Sequence, residues 1–308
     1  MKFKKPKFWD YKKPNLLAYI LLPFTLPILI RNFFVKNKIS KNNLKIKSIC
    51  VGNIYIGGTG KTPLSIKINN LIKKKYKSTI IKKFYPDQFD EQKLIEKYAN
   101  LICNQKRSIA LENAEKEEFR YAIFDDGLQD KSVNYDLEIV CFNSSQWIGN
   151  GFLIPAGPLR ERINSIKNYD VIILNGNSTN NLDIHKEITK IDKNLKIFEI
   201  NYKPSNLDEF DRNLNYVAFS GIGNPKNFIN TLIQNKFKIV KEFNFPDHYN
   251  YKDSDLNKII DFANKENAEI ITTEKDYLKL NKKLSDKIKC LKLELFISDE
   301  NKLLNLII

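Results

Sequence analysis

The stretch Leu44 to Lys75 reads LKIKSICVGNIYIGGTGKTPLSIKINNLIKKK, and it decides the fold. Its first part, Leu44 to Val51, is an apolar-rich run with the length of a buried strand. Its last part, Pro63 to Lys75, carries Leu64, Ile68, Leu71 and Ile72 at helical spacing. Between them lies Gly57-Gly58-Thr59-Gly60-Lys61-Thr62-Pro63. Glycines let successive backbone N–H groups turn inward around an anion, and a helix N-terminus adds partial positive charge. Strand, glycine loop and helix in this order predict a phosphate-binding loop. Gly57, Gly58, Thr59 and Gly60 would cradle the phosphates, Lys61 would reach the β and γ groups, and Thr62 would take a Mg2+ position. A strict motif would place its first glycine at 55, where this chain has Tyr55.

Working outward, Thr79 to Phe84, Tyr121 to Phe124, Leu137 to Phe142 and Val171 to Leu174 are short apolar runs of the buried parallel-strand type. Helical or charged segments separate some of them, which predicts βαβ units and an α/β fold with a mostly parallel sheet. Lys203 to Asn215 is polar and reads as a linker or hinge. A second series follows, with strands expected at Tyr216–Phe219, Lys238–Phe243, Ala268–Thr272 and Ile288–Leu293 and helices at Asn224–Gln234 and Ser254–Asn264. The expected organisation is an N-terminal segment 1–40, a phosphate-loop domain 41–205 and a second α/β domain 206–308.

With 308 residues, 42% hydrophobic and 28% charged, the composition excludes a disordered or collagen-like chain. Lys plus Arg number 51 against 36 Asp plus Glu, a net charge of +15 that favours an anionic partner. Lysine is spread along the whole chain, so much of that charge reads equally as solvated surface. The four cysteines form no CxxC pair and no zinc spacing, which fits a reducing cytoplasm and no structural metal.

Residues Leu16 to Ile30, LLAYILLPFTLPILI, are apolar but short of the ~20 residues of a full span. Pro23 and Pro27 each interrupt a helix there. Lys2, Lys4, Lys5, Lys7, Lys12 and Lys13 precede the run, and Arg31, Lys36 and Lys38 follow it. No small-residue cleavage site follows Ile30, so a cleaved signal peptide is disfavoured. A buried core helix is one reading. An in-plane anchor, with lysines on anionic headgroups, fits the pattern better.

Three further motifs carry chemistry. Asp125-Asp126-Gly127-Leu128-Gln129 follows an apolar run, so two carboxylates arrive at the C-terminal end of a strand, where open α/β sheets bind ligands. Adjacent acids there suit Mg2+, although an ordinary Asp-Gly turn has the same sequence. Gly149-Asn150-Gly151-Phe152-Leu153-Ile154-Pro155-Ala156-Gly157-Pro158-Leu159-Arg160-Glu161 is a Gly/Pro-rich loop ending in a charged pair. It could aim Arg160 at phosphate and Glu161 at a metal, or be a structural loop alone. Phe245-Pro246-Asp247-His248 places one of the two histidines in a turn after a strand.

Together with Val51-Gly52-Asn53 and Thr272-Thr273-Glu274-Lys275-Asp276, these motifs resemble the tetraacyldisaccharide 4'-kinases over most of the chain, in the family's order. The resemblance implies two Rossmann-like domains joined by a hinge, the first related to P-loop NTPases, with a membrane-associated N-terminal helix. It implies ATP and Mg2+ as cofactors and phosphorylation of the 4'-hydroxyl of an acylated glucosamine disaccharide 1-phosphate in lipid A biosynthesis. The expected setting is the cytoplasmic face of the inner membrane, peripheral or monotopic, on anionic lipids. The protein is expected to act as a monomer, without nucleic acid.

The same resemblance assigns Lys61 and Thr62 to phosphate and metal, Asp125, Asp126 and Glu161 to the metal, and Arg160 and Gln129 to phosphate or substrate. It makes His248 the catalytic histidine and Asp90 its partner in a base dyad, with Glu91 beside it and Asp87 as the rival position. Three departures stand out, one of them a shortened segment between the stretch at Lys82–Pro86 and Asp90, which is what keeps Asp87 as the rival position. The family's SRGYG stretch is Lys82-Lys83-Phe84-Tyr85-Pro86 here, and its histidine after the acidic motif is Asp130. Two other classes remain open: a membrane-associated P-loop ATPase or regulator, and a non-catalytic basic protein binding membrane or nucleic acid. No NKxD-type guanine motif supports a GTPase.

Overall fold

Side chains alternate across a strand, so a strand buried on both faces is apolar throughout. Residues 48–52 of β1 (Lys47–Gly52) are all buried, and β1 lies inside an eight-stranded sheet. The computed structural model describes residues 5–36, 44–85, 89–176, 181–247 and 249–308.

The N-terminal segment is not one helix. Asn15 caps α1 (Leu16–Ile20) through its side chain, a 3-10 turn spans Leu22–Thr25 with Pro23 in its first turn, and α2 covers Leu26–Lys36. Proline lacks an N–H, so each element restarts where a proline costs no helical hydrogen bond. Among the described residues no helix is long and apolar enough to cross a membrane.

The chain continues through α3 (Lys61–Ile72), β2 (Ser78–Lys83), α4 (Phe89–Tyr98), β3 (Leu101–Asn104), α5 (Arg107–Lys116), β4 (Tyr121–Asp125), β5 (Leu137–Asn143), β6 (Val171–Asn175), α6 (Asn181–Ile191) and β7 (Lys196–Pro204). It then forms β8 (Asn215–Ser220), α7 (Pro225–Gln234), β9 (Lys238–Asn244), α8 (Asp253–Lys265), β10 (Ala268–Thr273), α9 (Glu274–Tyr277), α10 (Lys282–Ser285) and β11 (Ile288–Leu291). It ends in β12 (Leu293–Ile297) and α11 (Glu300–Ile307). The large sheet has the order β12-β7-β6-β5-β1-β4-β2-β3 and the small one β11-β10-β8-β9.

Two compact units result: residues 1–84, 98–201 and 295–308, and residues 85–97 with 202–294. The division is not the linear one expected from sequence. Helix α4 belongs to the second unit, and the C-terminal residues return to the first. There β12 joins the large sheet, and Glu300 of α11 pairs with Lys67 of α3 at 2.8 Å.

In the first unit, Cys50, Ile81, Ala122, Phe124, Val140 and Leu174 pack on one sheet face with Ala110 and Leu111 of α5 and Ile184 and Ile188 of α6. The alternate residues, including Lys82 and Asp125, belong to the opposite face, where Thr62 and Ser65 of α3 reach Asp125. β1 pairs in parallel with β4 and β5, and β4 with β2, so their C-terminal ends lie side by side.

In the second unit, α7 packs Phe228, Ile229 and Leu232 on Tyr216, Ala218 and Ile271. Helix α8 packs Leu256, Ile259 and Ile260 on Val217, Phe219 and Ile270. The supposed linker 203–215 is part of this unit. Phe210 is buried against Tyr216 and Phe237, and Asn206 donates to the Cys290 carbonyl at 2.9 Å. Its polar composition concealed these two anchors. Replacing Phe210 by Ala should lower the stability of the second unit by about 3–5 kcal/mol. Urea denaturation would measure it, and a loss below about 1 kcal/mol would mark the segment as a passive tether.

Candidate active site

The phosphate loop begins where β1 ends. Asn53 is fully buried and donates to the Gly57 carbonyl at 3.2 Å and to Thr59 Oγ1 at 3.1 Å. Asn175, at the end of β6, donates to the Thr59 carbonyl at 3.1 Å. Gly57 (φ 132°) and Gly60 (φ 88°) take backbone angles that side chains disfavour, and Gly60 is the N-cap of α3. The loop is thereby fixed by two asparagine amides, and Lys61 and Thr62 open the helix.

The adjacent carboxylates of the acidic motif have different partners. Asp125 is fully buried; its Oδ2 accepts from Thr62 Oγ1 at 2.9 Å and from Lys82 Nζ at 2.7 Å. Its Oδ1 accepts from Ser65 Oγ at 3.3 Å. Asp126 turns into the left-handed region (φ 61°), tolerated by Asp better than by most residues. Its N–H donates to the Val51 carbonyl at 2.8 Å, and Arg107 donates to its carbonyl. Its carboxylate faces Arg160 Nη1 at 3.1 Å and Lys61 Nζ at 3.9 Å. Burial pushes the Asp126 carboxyl up, but Lys61, Arg160, Lys82 and Arg107 override it and hold the group below its usual range.

Arg160 and Glu161 are aimed by backbone pairing. The Arg160 N–H donates to the Ile54 carbonyl at 2.7 Å and the Ile56 N–H to the Pro158 carbonyl at 2.9 Å, so the 149–161 loop is stitched to the phosphate loop. Gly157 is obligatory in it, because a methyl there would collide with Asn150 Oδ1 and the Phe152 carbonyl. Gln129 connects the parts. Its amide donates to the Asn53 carbonyl and to Glu161 Oε1, both at 3.0 Å, and its oxygen accepts from Arg160 at 3.1 Å. The Tyr169 hydroxyl donates to the Glu161 carboxylate at 2.9 Å.

Thr62, Asp126 and Glu161 offer the hard oxygen donors that Mg2+ takes. Among the described residues no three His, Cys, Asp or Glu side chains group as a self-sufficient metal site.

The structure places Lys61, Thr62, Asp125, Asp126, Gln129, Arg160 and Glu161 close together in one unit. Asp90 and Glu91 belong to the other unit. There Asp90 is buried, with Lys275 and Lys279 each 3.5 Å from its Oδ2. Lys275 also reaches Glu91 at 3.6 Å and Asp247 at 3.2 Å. Burial lowers the Lys275 ammonium pKa, but Glu91, Asp247 and Asp90 together raise it above its usual value. His248 and Asp87 lie outside the described residues.

Several residues that hold the candidate site carried no assigned role in the sequence. Arg107 pairs with Asp130 at 2.8 Å, so Asp130 positions the arginine that holds the Asp126 turn. Lys275 sat in a quoted motif without a role, and Asn175 at the end of an apolar run without a motif.

Asp126 contributes stability above about pH 4, its unfolded range, and loses it as pH falls through its lower folded value. Arg160→Met should therefore raise the Asp126 carboxyl pKa, read by carbon NMR titration, and start acid unfolding at higher pH. An unmoved titration would mean that Arg160 does not set the charge of Asp126.

The chain matches the family LpxK, tetraacyldisaccharide-1-P 4'-kinase, over residues 15–308. It is 53% identical over 309 residues to the tetraacyldisaccharide 4'-kinase of Pelagibacter ubique (strain HTCC1062), covering 100% of this chain and 98% of that relative. It is 38% identical over 320 residues to the enzyme of that name from Rickettsia typhi, covering 97% and 96%. Among solved structures, LpxK from Aquifex aeolicus in complex with ATP has the same fold, with a TM-score of 0.71 at 24% identity over 95% of this chain and 98% of that one.

Proposed function

The chain belongs to the tetraacyldisaccharide 4'-kinase family, and from that premise we propose how its residues carry out the phosphoryl transfer. It is a kinase of lipid A biosynthesis. ATP is the phosphoryl donor in this reading, and the acceptor is the 4'-hydroxyl of an acylated glucosamine disaccharide 1-phosphate. The observation that carries it is the convergence of Lys61 and Arg160 on Asp126 beside a glycine loop at a helix N-terminus. Two cations and a row of backbone N–H groups there suit the negative charge of a triphosphate.

Lys61 and the loop amides spread the charge that develops on the γ-phosphoryl oxygens. Arg160, fixed by its backbone bond to Ile54 and its side-chain bond to Gln129, adds a second cation, a planar guanidinium. Thr62, Asp126 and Glu161 would hold Mg2+, which when bound neutralises phosphate charge and orients the oxygens for in-line attack. Asp125 supports them by fixing the Thr62 hydroxyl. Asp90 accepts the proton of the sugar hydroxyl, with His248 as its partner and Glu91 contacting the substrate. Lys275 and Lys279 keep the Asp90 carboxylate compensated in its buried site.

The membrane-surface setting rests on the N-terminal segment. Phe8, Trp9 and Ala18 are buried against Ile56, Phe152 and Ile154, and Trp9 Nε1 donates to the Pro155 carbonyl at 3.0 Å. Outward, Leu16 is 77% exposed and Phe24 65%, with Ile20, Leu26 and Ile30 also exposed. Exposed Lys7, Lys12, Lys13 and Arg31 flank them. An apolar face rimmed by basic residues suits an anionic bilayer interface, where an acylated substrate resides.

Two tests follow. Purified protein should transfer labelled γ-phosphate from ATP to the disaccharide 1-phosphate in detergent micelles, and Lys61→Ala should reduce turnover at least about a hundredfold. Near-wild-type turnover by that variant would refute the phosphate-loop assignment. Leu16→Ser with Phe24→Ser should weaken co-sedimentation with anionic vesicles about tenfold or more. Unchanged binding would place the contact elsewhere.

A further inference from the structure

The mechanism above gives no role to Lys82. It is the fifth residue of β2 and in parallel register with Asp125 of β4. Its side chain is 3% exposed, and its ammonium lies 2.7 Å from Asp125 Oδ2, in a carboxylate with no exposed surface. That same oxygen accepts the Thr62 hydroxyl at 2.9 Å. A strand lysine buried on this face requires desolvating a full charge, and such a pair is seldom more stable than apolar residues of equal volume. It shares one carboxylate oxygen with Thr62, in the first turn of the helix after the glycine loop, a placement at the candidate site rather than in the core.

The charges divide accordingly. Lys82, Thr62 and Ser65 donate to Asp125, while Lys61 and Arg160 face Asp126. Without the ammonium, Asp125 would present an uncompensated negative charge one residue from Asp126, on the side where a triphosphate must approach. A divalent cation would then have one more negative charge to offset.

We propose that Lys82 is a positioning residue of the phosphate site. It fixes Asp125 as the anchor of the Thr62 hydroxyl and supplies a resident positive charge, so that ATP binding by this chain depends less on a divalent cation than it would without the lysine. The inference rests on the assignment of the glycine loop to ATP.

Calorimetric titration with ATP, in Mg2+ and in EDTA, tests it on the full chain. For the wild type the two affinities should be similar. In Lys82→Met the affinity in EDTA should fall about tenfold or more beyond any fall in Mg2+, since one unit charge beside a partly buried phosphate is lost. Lys82→Arg, which keeps the charge, should restore the wild-type ratio. The double variant Lys82→Met with Asp125→Asn removes the uncompensated carboxylate and should also recover affinity in EDTA relative to Lys82→Met. It keeps the test valid if Lys82→Met alone does not fold. An unchanged ratio in a folded Lys82→Met, or a double variant with no binding in EDTA while binding in Mg2+, overturns the role of Lys82. Binding by Lys61→Ala equal to wild type in both media overturns the phosphate-site assignment itself, and the role of Lys82 with it.

Discussion

The buried carboxylate of Asp125 is the point on which the first unit is organised. It sits at the end of β4, between β1 and β2 in a parallel sheet, and accepts hydrogen bonds from Thr62 and Ser65 of α3 and from Lys82 of β2. A charge without solvent must be compensated by hydrogen bonds and an opposite charge, or the local structure rearranges to neutralise it. Here that requirement ties together the strand before the acidic turn, the helix after the phosphate loop and a neighbouring strand. Asp126 can adopt its left-handed conformation because its neighbour is held so firmly. Arg107 and the Val51 carbonyl hold the peptide on either side of it.

A second constraint links the phosphate site to the apolar N-terminus. Loop 149–161 carries Arg160 and Glu161, and the same loop receives Trp9 through the Pro155 carbonyl. Asn32 of α2 donates to the Arg160 carbonyl at 2.9 Å, and Leu29 packs with Tyr55, Leu153 and Leu159. Tyr55, at the position where a strict motif has glycine, is therefore a packing residue, bridged to Leu159. The segment proposed to meet the bilayer and the arginine proposed to meet the nucleotide share one packed layer. Positioning of this kind is rigid because interiors are close-packed.

In the second unit the Thr272–Asp276 motif is a structural hub as well as a source of charge. Asp276 is fully buried and accepts from the Gly221 N–H at 2.9 Å, from Thr273 Oγ1 at 2.8 Å and from Lys279 at 2.7 Å. Lys275 and Lys279 then extend to Asp90. The acid of α4 is thus held by two lysines some 185 residues further along the chain, on α9 and just after it, a juxtaposition no local pattern encodes.

The sequence by itself determined the alternation of strands and helices, because buried parallel strands must be apolar and their flanking helices amphipathic. It also made the glycine stretch before α3 readable as a candidate phosphate loop, because glycines and a helix start present backbone N–H groups to an anion. Lys61, Thr62, Asp125, Asp126, Arg160 and Glu161, which the fold brings close together, were legible as candidates because they sit in short motifs whose chemistry is local. Tertiary structure decided what pairing across the sheet controls. It brought Lys82 to Asp125 through the β2–β4 register and gave Asp130 to Arg107. It also returned the C-terminal strand and helix to the first unit and moved α4 to the second. Local patterns report which face of an element is apolar. Which distant element covers that face, and which charge must answer a buried carboxylate, are fixed only when the sheet is assembled.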